Sequence, residues 1–124
     1  MECVTVAGTE VPAVGIGTWQ MEPETAYDAV SDALEIGYRH VDTAQIYENE
    51  AGVGRAIADA DVDREDVFLT TKVNPRHRSV ESIVGSVEDS LAALDTDYVD
   101  LLLIHWPNPL ADLETVMEGL NEAV

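Results

Sequence analysis

A chain of 124 residues with 46% hydrophobic content has the material for one core and one ordinary domain. Its 25 acids against 6 bases set a formal charge of −19, which argues against nucleic acid and anionic membrane surfaces as partners, since both would be repelled. Cys3 is the sole cysteine, so an intramolecular disulfide is excluded and a reducing, cytoplasmic setting is expected. No basic start leads into an apolar stretch, and no apolar run approaches the roughly 18 residues of a membrane span. The acids are interspersed, as in Glu22, Glu24, Asp28, Asp32 and Glu35, or fill a connection, as in Asp59, Asp61, Asp63, Glu65 and Asp66. With lysine depleted as well, this coat is that expected of a halophilic protein, whose self-repulsion concentrated salt screens.

Val4 to Val6 and Val11 to Val14 flank Ala7-Gly8-Thr9-Glu10, which predicts a short opening hairpin. Strand and helix then alternate. A strand at Val14 to Gly17 precedes a helix from Pro23 to Ile36, where Ala26, Ala29, Val30, Ala33 and Leu34 share one face; Pro23 suits its first turn and Gly37 its end. Next come a strand at Tyr38 to Asp42 and a helix from about Glu48 to Ala60. The third unit is Val67 to Lys72, followed by a helix to Leu94 with Ser79 as N-cap. A fourth strand lies within Tyr98 to His105, its apolar part Leu101 to His105, and Asp112 is placed to cap a helix running to Val124. Strand–helix units spaced by roughly 24 to 33 residues match the pitch of a (β/α)₈ barrel, which takes about 250 residues for eight. The expected fold is therefore α/β of the TIM-barrel type: a parallel half-barrel of four units behind an amino-terminal hairpin.

Three of the apolar runs end on groups that do acid–base chemistry: Val41-Asp42, Thr70-Thr71-Lys72 and Leu103-Ile104-His105. Parallel strands bring their carboxyl ends to one face, where α/β barrels gather catalytic groups. Lys72 is the only lysine of the chain, kept at a strand end where an adjustable cation is useful and a guanidinium is not. Gly15-Ile16-Gly17-Thr18-Trp19-Gln20 lacks the third glycine of a dinucleotide fingerprint, and Gly52-Val53-Gly54 has no strand of its own before it. His40, His77 and His105 are too scattered for a metal site, so no metal is expected.

The run Gly37-Tyr38-Arg39-His40-Val41-Asp42-Thr43-Ala44-Gln45-Ile46-Tyr47-Glu48-Asn49-Glu50 closely resembles the signature of the aldo-keto reductases. Val14-Gly15-Ile16-Gly17-Thr18-Trp19, Thr70-Thr71-Lys72-Val73 and Leu103-Ile104-His105-Trp106-Pro107 resemble their first, third and fourth strand motifs, in the same order. The resemblance implies a catalytic tetrad of Asp42, Tyr47, Lys72 and His105. It implies cofactor contacts from Gly17, Thr18 and Asp42, and a carbonyl pocket lined by Trp19 and Trp106 together with Tyr47 and His105. NADPH is the implied cofactor and a small aldehyde or ketone the implied substrate. The chemistry is consistent: carbonyl reduction needs a proton donor at the developing alkoxide, and a phenol beside a cation yields its proton more readily.

Family members are about twice this long, which makes residues 1–124 the expected amino-terminal half of the barrel, ending within its fourth helix. A second copy or a separate carboxy-terminal half is the expected partner, because an open sheet exposes edges and an apolar face. Three functions remain open: a reductase completed by such a partner, a catalytically silent fragment, or a non-enzymatic binding module of the same fold. Alone, the chain is expected to bind nicotinamide cofactor weakly. The acidic coat makes its own prediction: circular dichroism should show loss of helix on moving from molar to low salt, where the Debye length grows from about 3 Å to about 30 Å. A spectrum indifferent to salt would remove the halophilic reading.

Overall fold

The computed structural model describes residues 2–124. The opening hairpin pairs β1 (Cys3–Val6) with β2 (Thr9–Pro12), antiparallel from Val6↔Thr9 to Cys3↔Pro12. Its turn is tighter than the four residues expected. Ala7 and Gly8 alone make it, both with positive φ (48° and 81°), the handedness that matches the twist of the flanking strands. Thr9 and Glu10 are thus paired residues of β2 rather than loop, and Ala13 and Val14 lie beyond it.

The main sheet is parallel, in the order β3 (Ile16–Gly17), β4 (His40–Asp42), β5 (Phe68–Val73), β6 (Leu101–Ile104). Each strand is followed by a helix: α1 (Pro23–Ile36), α2 (Glu50–Asp59), α3 (Val80–Leu94) and α4 (Leu113–Ala123). The predicted half-barrel is the fold observed, with β3, β4 and β6 shorter than expected and β5 the expected length but shifted one residue, from Val67–Lys72 to Phe68–Val73. Tyr38 falls outside β4 because its N–H caps α1 by donating to the Ala33 carbonyl at 2.9 Å. β3 keeps two of its four expected residues, and β6 begins at Leu101 and stops one short of His105. The second helix starts at Glu50, because Gln45–Tyr47 forms a separate 3₁₀ turn closed by Glu48 at φ 56°.

Helix ends follow local chemistry. Pro23 sits in the first turn of α1, and Gly37, at φ 123°, returns its N–H to the carbonyls of Ala33 and Leu34. The Ser79 hydroxyl accepts from the Ser82 N–H at 3.1 Å, a cap worth about 1 kcal/mol. Asp112 holds the corresponding position before α4, but its carboxylate takes the Thr115 hydroxyl instead of a main-chain N–H.

Period-two alternation in the strands divides two worlds. Val41, Leu69 and Val73 point outward into the layer of helices, where Val30, Val53 and Ile83 are fully buried, each contributing roughly 1.5–3 kcal/mol. His40, Asp42, Thr70, Leu101 and Leu103 point the other way, into a concavity also bordered by Gly17 and the hairpin. Leu101 and Leu103 remain 39% exposed there. His40 fastens the hairpin to this face: its Nδ1–H donates to the Pro12 carbonyl, and Nε2 lies 3.3 Å from the Thr70 hydroxyl.

Two connections fix the helices against each other. Gly52 and Gly54, which no phosphate loop requires, let α2 approach the Pro23 main chain on one side and that of Leu94 on the other. Arg64, in the short 3₁₀ turn Arg64–Asp66, donates to the carbonyls of Val67 and Tyr98 at 2.8 and 2.7 Å, to the Thr96 hydroxyl and to Asp100. Its guanidinium also stacks 4.1 Å from the Tyr98 ring centroid.

Glycine substitutions separate the two roles. Gly52→Ala should cost about 1–3 kcal/mol by forcing the α1–α2 contact apart, whereas Gly85→Ala, with nothing within 4 Å of the new Cβ, should gain about 0.5–1 kcal/mol from helix propensity. Urea unfolding followed by circular dichroism measures both; equal effects would refute the close approach as the reason for Gly52.

Candidate active site

Asp42 closes β4 and Lys72 lies one residue before the end of β5, and parallel pairing puts Asp42 opposite Thr70. Side chains two residues apart on one strand share a face, so Lys72 stands just beyond Asp42 at the carboxyl ends of the strands. Its ammonium donates to both carboxylate oxygens at 2.9 Å and to the Thr43 carbonyl at 3.0 Å. Lys72 is only 14% exposed, and an isolated cation there would be costly; Asp42, at 39%, supplies the opposite charge from the wetter side.

Tyr47 ends the 3₁₀ turn, and its ring centroid lies 5.2 Å from Lys72 Nζ. His105, the first residue past β6, meets that ring edge to face, with centroids 5.5 Å apart and planes at 85°. Trp106 meets His105 edge to face, with centroids 4.4 Å apart and planes at 62°, and is half exposed. The expected tetrad residues and one of the two tryptophans thus form a continuous cluster. Trp19 stands apart, 68% exposed in the turn after β3. Gly17 pairs with Asp42 in the strand register, and a Cβ placed on it would meet nothing within 4 Å, leaving open space beside the carboxylate.

Thr18 is fully buried, behind the mouth rather than in it. Its N–H donates to the Asp42 carbonyl and its hydroxyl to that of Thr43, which donates in turn to Asn49 Oδ1. Asn49 Nδ2 returns to the carbonyls of Thr18 and Met21. This buried set ties the ends of β3 and β4 to the start of α2. A second set lies under Tyr47. Gln45 donates to Ser86 and Ser90 and accepts the Asn74 N–H, while Glu50 accepts the hydroxyls of Thr71 and Ser90. Burial pushes the Glu50 carboxyl above its usual range, against the opposing effect of its two hydroxyl donors. Thr43, Gln45, Asn49 and Glu50 carry no role in the sequence reading. They fall within the run that resembles the family signature, but that resemblance carries no statement of what each one touches.

Burial holds the His105 imidazole below its usual pKa; the Lys72 cation lowers it further and Asp42 opposes the change. His105 Nδ1 is the buried side-chain nitrogen that lacks a hydrogen-bond partner among the described residues. A recess of about 70 Å³ on the outer side of Trp106, between the loops that follow β5 and β6, contains none of these acid–base groups. The chemistry belongs at the mouth.

The Aldo/keto reductase family profile matches residues 13–124. The chain belongs to the aldo-keto reductase family. It is 47% identical over 115 residues to the methylglyoxal reductase DkgB of Salmonella typhi, a match covering 91% of this chain and 43% of that protein. It is 50% identical over 101 residues to the NADP(+) glycerol 2-dehydrogenase of Saccharomyces cerevisiae, covering 81% of this chain and 31% of the relative. A solved aldo/keto reductase from Brucella melitensis superposes with a TM-score of 0.89 at 45% identity, covering 98% of this chain and 46% of that one. The chain therefore spans less than half the length of the relatives it matches. Among the described residues no helix is long and apolar enough to cross a membrane.

Because its folded pKa is depressed, His105 binds fewer protons in the folded than in the unfolded chain between its folded value and the ordinary value near 6.5. Its contribution to stability is therefore present above that window and lost as pH falls through it. Imidazole NMR should place the His105 midpoint below the ordinary value, and Lys72→Met should move it upward by removing the neighbouring cation. A midpoint that stays put in Lys72→Met would contradict the proximity.

Proposed function

We propose that this chain carries the acid–base half of an NADPH-dependent aldo-keto reductase that reduces small aldehydes and ketones to alcohols. One observation carries the reading: the Lys72 ammonium, held by both oxygens of Asp42, lies 5.2 Å from the Tyr47 ring while His105 meets the same ring from the side. Tyr47 is the general acid at the carbonyl oxygen, and the Lys72 ammonium beside its ring balances the charge that remains once the proton has been given up. Asp42 fixes Lys72 and keeps the pair neutral. His105, biased toward its uncharged form, orients the substrate oxygen through a ring nitrogen. Trp106 walls the pocket beside it, whereas Trp19, which stands apart from the cluster, is left a wall by the family resemblance alone.

NADPH, when held here, would supply the hydride that reduction requires. Gly17 and Asp42 fit the nicotinamide side, because open space lies beside that glycine and the carboxylate is partly exposed. Thr18 supports them from behind through its bonds to Asp42 and Thr43. Small oxygen-rich carbonyls are the substrate class that the names of the methylglyoxal reductase and glycerol 2-dehydrogenase relatives support, and the latter's name supports NADP as well. The half-exposed leucines of β6 favour completion of the barrel by further polypeptide, either a second copy or a separate carboxy-terminal half. The reducing, salt-rich cytoplasm is the setting that composition supports.

NADPH oxidation with methylglyoxal, followed by absorbance in molar salt, tests the assignment. In the assembly that turns over, Tyr47→Phe should lower kcat by roughly 10²- to 10⁴-fold with a smaller change in cofactor affinity, and Lys72→Met should weaken the same step. Full turnover in either variant would sink the proposed roles.

A further inference from the structure

Tyr47 lies in a three-residue turn followed by a left-handed residue, a segment with little intrinsic rigidity. Lys72 lies on a different element. Their separation has to be set by something other than the turn itself. Two residues before Tyr47, the Gln45 side chain uses both ends. Its amide nitrogen is 3.1 Å from the Ser86 carbonyl, the Ser86 hydroxyl and the Ser90 hydroxyl, all on α3. Its amide oxygen accepts at 2.8 Å from the N–H of Asn74, two residues after Lys72. Three residues after Tyr47, Glu50 accepts from Ser90 at 3.1 Å and from Thr71, the residue before Lys72, at 2.8 Å. Ser86 and Ser90 are almost fully buried, so a water molecule is a poor substitute for a lost partner.

We propose that Gln45 and Glu50, joined through Ser90, form a clamp that sets Tyr47 against Lys72, with Gln45 as a positioning residue for the acid. The proposal rests on the reading above that these two side chains act together. The segment 45–50 is gripped on both sides of Tyr47, and the grip ends on the residues that bracket Lys72, which couples the turn to the strand. A solely structural network would stabilise the fold and leave the angle of Tyr47 to its own contacts. A clamp fixes that angle, and misplacement by about 1 Å at such a site costs roughly 10²-fold in rate.

The test uses the 124-residue chain labelled for NMR. Contacts between the Tyr47 ring and both the His105 ring and the Lys72 side chain are read in the unmodified chain, in Gln45→Met, which keeps the length and deletes every bond, and in Glu50→Gln, which can still bond Thr71 and Ser90. Ile57→Val, which trims a core side chain of α2, controls for stability alone. The clamp requires that Gln45→Met lose the Tyr47–His105 and Tyr47–Lys72 contacts while the other two variants keep them. In the assembly that turns over, kcat should fall roughly 10- to 100-fold in Gln45→Met with KM little changed. Unaltered contacts in Gln45→Met, with stability lowered as in Ile57→Val, would overturn the proposal. Should Gln45→Met not fold, Ser90→Ala breaks the junction between the two arms, and the same contacts decide. Lost contacts in Gln45→Met alongside full activity of Tyr47→Phe would uphold the clamp and retire the catalytic reading instead.

Discussion

Lys72 is held out of bulk water at the end of a hydrophobic strand, and this placement is tolerable because Asp42 and the Thr43 carbonyl converge on its ammonium. That convergence depends on register. β4 and β5 run parallel with Asp42 opposite Thr70, so the carboxylate and the ammonium share the inner face two residues apart along the ladder. A shift by one residue would turn Lys72 outward, among the valines that face the helices, with no partner. The pair is therefore a product of the sheet and also a reason for its register: an unpaired ammonium on the helix side would cost more than the ladder bonds gained.

The surroundings of the pair are polar but well satisfied. One buried set runs through Thr18, Thr43 and Asn49, and another through Gln45, Glu50, Ser86 and Ser90. Both sit where loops leave the strands, the place where main-chain groups have lost their ladder partners and the side chains must supply replacements. The mouth of a parallel sheet is a difficult place to finish a fold, and here the finishing is done by short hydroxyl and amide side chains. The exception among the described residues is His105 Nδ1, which is buried with no hydrogen-bond partner.

The helices were legible because their burial follows a simple period: Ala26, Val30, Ala33 and Leu34 recur as 3.6-residue geometry demands, and Pro23, Gly37 and Ser79 act through chemistry local to the chain. The parallel strands were legible as apolar runs, with less certain limits. Tyr38 could not be assigned by pattern, since its hydrogen bond back to Ala33 depends on where α1 stops. The hairpin turn was misread because a positive φ at Ala7, which no residue type signals, allows two residues to do the work of four. At the site, roles for Asp42, Tyr47, Lys72 and His105 follow from motif order, whereas Gln45 and Glu50 lie in the same run with nothing in it to say what they bond. Their partners Ser86 and Ser90 lie 40 to 45 positions away, and no one-dimensional pattern links them. Gly52 and Gly54 were visible, but their reason, a close helix approach, exists in three dimensions alone.

Arg64 belongs to the connection before β5, yet it bonds residues 67, 96, 98 and 100, on both sides of the following strand and helix. Asp100, which it contacts, in turn accepts the Leu69 N–H at 2.8 Å. Consecutive β/α units here overlap through one side chain and cannot be treated as detachable beads. Exchange of segments between homologous chains, by recombination or by gene design, would meet this overlap whenever the crossover fell between Arg64 and Asp100. A crossover between those positions would join one parent's guanidinium to another parent's carbonyls, and the two would have to match. Crossovers before Arg64 leave this fastening in one parent, yet one that falls after Glu50 divides Asp42 from Lys72 and Gln45 from Ser90, so the parents would have to match there as well.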